Sequence, residues 1–309
     1  MDNILFVPAT RELEWVQELL PGTSPAELSV GGRSVIEYAL ECAHKFEVMF
    51  TEILDWRFSE RLADHFADPT RTGYPVFYVR GEGPMPTGLK GIEGYSSPLT
   101  SQIEDGLVVV WDVVLPTTDA KEITLEPVSD EDLADTPAGV YRHEGGRWMR
   151  VLPRCFAVDS IKAWHSLNFQ VLHHPERFTL PGYSTERNVH LGRNVVLEYG
   201  TVVKPPVLLQ DNTWFARNVR LDGDVIVNSG SYVSEGARLC RTIVGRDTFI
   251  GAGLDLDGKI VAGRRVIDPE TGTWVDLEEP GIARRIPTGL GWMRKPWRFM
   301  RGRSFGRRG

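Results

Sequence analysis

The chain has 309 residues, of which 41% are hydrophobic and 25% charged, and it contains 31 glycines and 20 prolines. This composition excludes a disordered or collagen-like chain and is typical of a globular protein long enough for two domains. No stretch reaches the roughly 20 apolar residues of a membrane-spanning helix, and the first residues, MDNILFVPAT, lack the positive charge of a secretory signal. We therefore expect a cytoplasmic protein.

The charge is distributed unevenly along the sequence. The net charge is −7, yet residues 280–309 hold nine Lys or Arg and no acid, which leaves 26 basic against 42 acidic residues, a net charge of −16, in the rest. Such an acidic body disfavours binding of nucleic acid across its surface, whereas the basic segment can meet an anionic surface. The three cysteines follow no CxxC or Cys/His spacing, so they predict neither a disulfide framework nor a zinc site.

Residues 1–178 predict an open α/β sheet with mainly parallel strands, because short apolar runs alternate with helical spacing. A helix is expected over 35–46. The expected strands are 4–7, 47–54, 75–80 and 107–110. Residues 117–135, with seven acids against one lysine, are expected to form an exposed connector.

Residues 189–260 repeat with a period of six. The third positions of nine successive hexads are all apolar: Leu191, Leu197, Val203, Leu209, Phe215, Leu221, Val227, Val233 and Leu239. A helix repeats at three and four and a strand at two, whereas six is the period of a parallel β-helix, with three hexads in one coil. After Leu239 the phase slips by one residue and resumes at Val244, Ile250 and Leu256. The alternative is a β-sandwich with coincidental spacing.

The corners of such coils favour Gly, Asn or Asp, because the backbone φ there is often positive. The expected corner residues are Asn194, Gly200, Asn212, Asn218, Gly230 and Gly236. We therefore predict a parallel β-helix at 183–262, to which the family resemblance given next assigns the left-handed form, followed by a capping hairpin and linker at 263–290 and a basic aromatic tail at 291–309. Exposed aromatic residues on the flat faces, Trp214, Tyr199 and Tyr232, predict a homo-oligomer formed through the β-helix.

The order of these elements resembles the sugar-1-phosphate nucleotidyltransferases, whose Rossmann-like α/β domain is followed in many members by a left-handed β-helix. Four segments carry the resemblance: 24–40 (SPAELSVGGRSVIEYAL), 86–92 (PTGLKGI), 107–112 (LVVVWD) and 158–168 (VDSIKAWHSLN). In that family the sugar phosphate attacks the α-phosphorus of a nucleoside triphosphate and releases pyrophosphate. Because negative charge builds on phosphoryl oxygens, Mg²⁺ and cationic side chains stabilise the transition state.

The resemblance implies roles for individual residues. Asp112, at the carboxyl end of a strand, would hold Mg²⁺, with Asp159 as the second ligand. Thr87, Gly88 and Lys90 would contact the nucleotide, and Arg11 and Arg33 are the nearby cations for the phosphates. The alternatives are a strand-ending residue for Asp112, a helix N-cap for Asp159 and surface positions for both arginines.

The sequence departs from the family pattern at the phosphate-binding loop. The family has a glycine-rich loop after the first strand, but residues 8–15 contain no glycine and carry Glu12 and Glu14. Bare backbone cannot approach a phosphate there and the carboxylates repel it. Pro25 also stands where the family has a lysine.

We therefore predict a nucleotidyltransferase-like protein of nucleotide-sugar or surface-polysaccharide metabolism with impaired or lost catalysis, acting as a nucleotide or sugar-phosphate sensor or as a scaffold. The alternatives are an active transferase and a hexapeptide-repeat acyltransferase that uses His190 as its base, although a lone histidine in the coils is more often structural.

The tail interleaves aromatic and cationic side chains. Those expected to bind are Trp292, Arg294, Lys295, Trp297, Arg298 and Phe299. Arginine with tryptophan favours an anionic membrane interface or a partner protein, which would place the protein at the inner face of the membrane. A disordered tail, a strap on the acidic body, and RNA binding are the alternatives.

Overall fold

The structure is a computed structural model. It describes residues 2–8, 14–20, 23–43, 48–56, 59–67, 75–92, 103, 105–111, 114–115, 124–152, 156–185 and 188–287. The tail residues named above, together with Arg11 and Asp112, lie outside these ranges.

The N-terminal part contains eleven strands and six helices within the described residues. The strands are β1 Asp2–Val7, β2 Ser29–Val30, β3 Arg33–Ser34, β4 Val48–Asp55, β5 Val76–Arg80, β6 Leu107–Trp111, β7 Val114–Leu115, β8 Thr124–Pro127, β9 Gly139–Glu144, β10 Arg147–Leu152 and β11 Phe156–Ala157. The helices are α1 Glu14–Leu19, α2 Val35–Ala43, α3 Glu60–Phe66, α4 Leu89–Ile92, α5 Asp130–Ala134 and α6 Ile161–His173, with a 3₁₀ turn at Pro25–Glu27.

Seven of these strands form an open sheet in the order β5-β4-β1-β6-β9-β10-β8. The first four are parallel, as predicted. The other three are antiparallel and were not predicted. The interpretation of 117–135 as an exposed connector was wrong for its second half, which contains strand β8 and helix α5. Its high charge density hid both elements, because most side chains between 124 and 135 are exposed or half-buried.

Both faces of the sheet are covered. In β1, Ile4 and Phe6 point to one face and Leu5 and Val7 to the other, and all four side chains are buried. The run Ile4–Val7 of this central parallel strand is apolar for this reason. Ile4 and Phe6 belong to a cluster with α2 and α6, whereas Leu5 and Val7 belong to a cluster with α4.

The C-terminal part consists of short strands stacked in three ladders. The strands are β12 Tyr183–Ser184, β13 Val189–Leu191, β14 Val196–Leu197, β15 Val202–Lys204, β16 Val207–Leu209, β17 Trp214–Phe215, β18 Arg220–Asp222, β19 Val225–Val227, β20 Tyr232–Val233, β21 Arg238–Cys240, β22 Thr242–Val244, β23 Thr248–Ile250, β24 Asp255–Asp257, β25 Ile260–Ala262, β26 Arg265–Ile267, β27 Trp274–Asp276 and β28 Ala283–Arg285. Strands three apart in sequence are parallel neighbours from β13 to β25, an arrangement consistent with a β-helix.

Each ladder forms one face of the coil region. We call β12-β13-β16-β19-β22-β25-β26-β27 the covered face, β14-β17-β20-β23-β28 the aromatic face and β15-β18-β21-β24 the ionic face. Val189 pairs with Val207 and Val207 with Val225, 18 residues apart each time, whereas Val225 pairs with Thr242 after 17 residues. The predicted phase slip is therefore confirmed. The predicted hairpin is β26 and β27, and it closes the end of the covered face.

The predicted inward residues are all buried from Leu209 to Ile250. At the two ends of the stack, Leu191, Val203 and Leu256 are half-buried. Leu197 is 43% exposed because its coil is the first, so no further coil covers it on that ladder. All six predicted corner residues have positive φ, from Asn194 at 57° to Gly200 at 80°. The period of six therefore predicted both the core and the corners of the coils.

The covered face packs against the N-terminal part. Its outward-pointing residues are Leu208, Ile226, Ile243, Ile260 and Ile267, and all belong to the cluster that includes α6 and the sheet. Ser160 caps α6 by accepting a hydrogen bond from the Ala163 N–H at 3.1 Å. The 13 residues of α6 span about 20 Å, and the five outward rungs span about 19 Å. The helix therefore matches the length of this face, and one core joins the two parts.

Polar contacts fix α6 along the coils. Lys162 pairs with Glu270 of the cap at 2.6 Å, and His165 donates to the Arg241 carbonyl at 3.1 Å. His173 pairs with Asp224 at 2.7 Å.

None of the described helices has the length and apolar character that a membrane span requires.

Candidate functional site

The carboxyl ends of the parallel strands form the expected position for a ligand. β1 lies between β4 and β6, so the chain reverses its direction of winding at β1, and Val7 is in register with Trp111. Open α/β sheets bind ligands at such a point. Arg11 follows β1 and Asp112 follows β6, but both lie outside the described residues.

A buried polar cluster lies at the same edge of the sheet, and the sequence did not single it out. The Tyr78 hydroxyl donates to Asp55 Oδ2 at 2.7 Å and accepts from the Ser59 N–H at 3.0 Å. Burial, followed by the charge of Asp55, raises the pKa of Tyr78 well above its usual value. The cluster therefore joins β4, β5 and the start of α3 with a neutral phenol. The signal in the sequence was Asp55, the carboxylate that ends β4, whereas Tyr78 lies inside β5 and had none.

The nucleotide-contact residues predicted at 86–92 pack against α5. Thr87 Oγ1 donates to the Ala134 carbonyl at 2.9 Å, and the Thr136 hydroxyl accepts from the Leu89 N–H at 2.9 Å. Gly88 is buried, and a Cβ there would overlap the carbonyl oxygens of Leu133 and Ala134. The close approach of the α5 backbone therefore explains why this position is a glycine.

Lys90 is exposed on α4, whereas Leu89 and Ile92 of the same helix are buried. Lys90 is the cationic residue of 86–92, and its side chain is accessible from solvent to a ligand at the sheet edge. Thr87 and Gly88, by contrast, already contact the protein.

Arg33 follows a tight Gly-Gly turn that α6 holds in place. The Gly31 N–H donates to Asn168 Oδ1 and the Trp164 Nε1–H to the Ser29 carbonyl, both at 2.8 Å. Arg33 donates to the Thr179 carbonyl at 3.2 Å and lies over the Tyr38 ring at 4.9 Å. Two of the segments that carried the resemblance, 24–40 and 158–168, therefore meet in the structure.

The turn needs glycine at both positions. Gly31 and Gly32 have φ of 53° and 81°, which side chains other than glycine rarely adopt. A Cβ at Gly31 would overlap Val171, and one at Gly32 would overlap Gln210 of the coil region. The Gly-Gly pair therefore allows the turn to enter the contact between α6 and the coils.

The structure does not bring Arg33 and the segment 86–92 to the same face of the sheet. Leu89 belongs to the buried cluster of Leu5, whereas Val30 belongs to that of Ile4. Adjacent residues of a strand point to opposite faces. The two groups of predicted ligand contacts can therefore meet only around the strand ends.

Asp159 is exposed, and the capping residue of α6 is its neighbour Ser160. The alternative of Asp159 as the N-cap was therefore wrong by one position. Within the ranges that the structure describes, no group of three or more His, Cys, Asp or Glu side chains is arranged to hold a metal ion. The Mg²⁺ site with Asp112 stays a prediction.

His190 is buried on the covered face, in register with the outward-pointing Leu208, and its Nε2 lies 3.0 Å from Asn188 Oδ1. Burial lowers the pKa of His190. A base in this position lies away from any substrate on the surface of the coils, which disfavours the acyltransferase alternative.

The sequence matches no protein-family model and no curated protein.

Proposed function

We propose that the chain is a nucleotidyltransferase-like protein that binds a nucleotide or sugar phosphate at the carboxyl edge of β1 and β6, and that its transfer activity is impaired or lost. The resemblance implies a setting in nucleotide-sugar or surface-polysaccharide metabolism. The left-handed form of the β-helix belongs to the same proposal.

The packing of Gly88 is the observation that carries the proposal. In the resembling segment the backbone is expected to face the nucleotide, but here the carbonyls of α5 occupy the space beside Gly88. Arg33, one of the two expected phosphate clamps, is hydrogen-bonded to Thr179. With Pro25 in place of a lysine, these contacts leave few cations to stabilise charge on a transferring phosphoryl group.

Binding without transfer has support of its own. The strand order reverses at β1, where open sheets hold ligands, and Lys90 is exposed on α4. Phosphates bind to such cations through charge-assisted hydrogen bonds. A sensor or scaffold needs only these features.

An active transferase is the second candidate. The contact of Gly31 with Asn168 favours it, because two segments with the resemblance are joined by a buried hydrogen bond. A protein that no longer catalyses transfer does not need this hydrogen bond for the reaction.

Calorimetry of the full chain with each nucleoside triphosphate and Mg²⁺ tests the proposal, together with an assay of pyrophosphate release after addition of sugar 1-phosphates. We expect binding of at least one nucleotide and absent or very slow release. Lys90→Ala should weaken binding about tenfold, the loss of one charge-assisted contact. The matched control is Lys162→Ala, an exposed lysine on α6 that pairs with Glu270.

Three outcomes would contradict the proposal. Absence of binding by every triphosphate removes the nucleotide site. If Lys90→Ala and Lys162→Ala weaken nucleotide binding equally, the binding site does not lie at α4. Robust pyrophosphate release that disappears in Asp112→Ala establishes the active enzyme instead.

A further inference from the structure

One side chain of the coil region reaches the turn formed by Gly31 and Gly32. Gln210 follows β16, and its Nε2–H donates to the carbonyl of Gly32. Gln210 is only 7% exposed. The same turn is bonded from the N-terminal part by Asn168 and by the indole of Trp164. The coils therefore supply one of the side chains that hold the turn in place.

The other end of the Gln210 amide is fixed by the next coil. Its Oε1 accepts hydrogen bonds from the Ser229 N–H at 3.1 Å and from the Ser229 hydroxyl at 3.3 Å. With the amide reversed, its NH₂ group would face the Ser229 N–H and its oxygen would face the Gly32 carbonyl. Because both of these backbone contacts would be repulsive, the neighbours determine the orientation in which Gln210 donates to the turn.

A second buried amide occupies the equivalent position one coil later. Asn228 follows β19 as Gln210 follows β16, and each of the two residues is 7% exposed. The Asn228 Nδ2–H donates to the Val244 carbonyl at 2.7 Å, and this contact lies within the coils. Gln210 therefore differs from Asn228 in bonding to the N-terminal part of the chain.

The turn borders the edge of the sheet where we propose that the ligand binds. α2 begins directly after the turn and leads into β4, which is parallel to β1. A helix that connects parallel strands runs back along the sheet, so the first residues of α2 lie towards the carboxyl ends of the strands. α2 also packs beside β7, which begins three residues after the end of β6. The coils thus bond a turn at the carboxyl edge of β1 and β6.

A Gly-Gly turn depends on its neighbours for its order. Glycine has more conformational freedom than any other residue, and Gly31 and Gly32 both have positive φ. Fixing the backbone costs free energy for each residue, and a ligand that must first order part of its site loses affinity by that amount. A hydrogen bond that fixes the turn before the ligand arrives therefore favours binding.

We propose that Gln210 is a positioning residue of the nucleotide or sugar-phosphate site, and that ligand affinity depends on the coil region through the hydrogen bond from Gln210 to Gly32. The inference rests on the proposed function, because it names a residue of the coils that acts on that site. Gln210 acts through the turn and does not itself touch the ligand.

Calorimetry of the full chain tests the proposal with ATP, GTP, CTP, UTP and dTTP, each with Mg²⁺, and with glucose 1-phosphate. Gln210→Met removes the amide and keeps the length of the side chain. It should weaken the tightest-binding of these probes about tenfold, the cost of ordering about one residue. Asn228→Leu is the matched control, because it removes an equally buried amide that bonds within the coils, and it should leave the affinity unchanged. Melting temperatures check that both variants are folded.

Two further measurements separate positioning from general stability. Hydrogen exchange of peptides that contain residues 29–34 should be about fivefold faster in Gln210→Met and unchanged in Asn228→Leu. Gln210→Glu should bind the probe more weakly than the wild type at pH 8, where a carboxylate cannot donate to the Gly32 carbonyl. The difference from the wild type should be smaller at pH 5, because burial favours the protonated carboxyl, which can donate.

The outcomes distinguish the proposal from the function on which it rests. If none of the probes binds to the wild type, both are wrong. If a probe binds equally to the wild type and Gln210→Met, or if Asn228→Leu weakens binding as much, the ligand site stands but Gln210 does not position it. Unchanged exchange of residues 29–34 in Gln210→Met, or a difference between Gln210→Glu and the wild type that is independent of pH, would also overturn the proposal.

Discussion

Replacement of Ile226 by alanine tests whether one core joins the sheet and the coils. Ile226 points outward on β19, yet it is only 1% exposed and belongs to the cluster that contains α6. The substitution removes three carbon atoms, a transfer free energy of about 2.4 kcal/mol. The cavity left under α6 adds to this loss, and buried Ile→Ala substitutions cost about 2–5 kcal/mol. We expect a decrease of about 3 kcal/mol in the free energy of unfolding.

Urea denaturation measures this loss, with tryptophan fluorescence and far-ultraviolet circular dichroism as two probes. Because the core is shared, both probes should follow one transition with an unchanged slope. The control is Val202→Ala on the ionic face, which should change the stability by no more than about 0.5 kcal/mol. A loss for Ile226→Ala no larger than for the control, or two separate transitions in the wild type, would refute the shared core.

Two further predictions concern the coils. Leu221→Asp should unfold the coil region, because it buries a charge without a partner among apolar residues; an unchanged melting temperature would contradict the inward register. Hydrogen bonds from Arg238 and Lys204 hold the pKa of Asp222 far below its usual value, so the stabilisation is present above the unfolded pKa of about 3.9 and is lost as the pH falls below it. Urea midpoints at pH 7 and pH 3 should therefore differ less for Asp222→Asn than for the wild type.

The coils were predictable because their signals are local. An inward side chain every sixth residue and a corner residue with positive φ are properties of single positions. Asn212 and Asn218, with φ of 59° and 58°, illustrate this, since asparagine tolerates that conformation without help from distant residues. No tertiary contact was needed to place them.

The burial of the covered face also had a signal in the sequence. This signal recurs once in each coil, whereas the inward residues recur once in each hexad. Strands β16, β19, β22 and β25 of this face read VLL, VIV, TIV and IVA. On the other two faces the outward positions carry larger or charged residues, such as Trp214 and Tyr232 on the aromatic face and Arg220 on the ionic face. Leu208 is an apolar outward residue between the inward Val207 and Leu209, and this pattern marks a strand that is buried on both faces. That pattern predicts a packed face, though not that α6 would cover it.

The surroundings of the candidate site could not be predicted from the segment 86–92. Thr87 and Leu89 bind Ala134 and Thr136, 47 residues further along the chain. Ala134 belongs to the stretch whose acidic composition predicts a connector, and Thr136 directly follows that stretch. The contact between segment 86–92 and the charged helix α5 leaves no signal in either segment alone. Gly88 was therefore interpreted as a ligand contact.

The basic tail should bring the acidic body to an anionic membrane. Because the rest of the chain has a net charge of −16, attraction must come from the nine cations that follow Glu279. Each cation near an anionic surface contributes about 1 kcal/mol, and charges are screened beyond about 8 Å at physiological salt. Binding should therefore weaken as salt rises, yet Trp292, Trp297 and Phe299 should retain a salt-independent remainder. Sedimentation with liposomes, with and without anionic lipid, compares the full chain with one that ends at Gly289. Equal sedimentation of the two chains would exclude the membrane interaction, and loss of RNA binding in the shorter chain would favour the rival function.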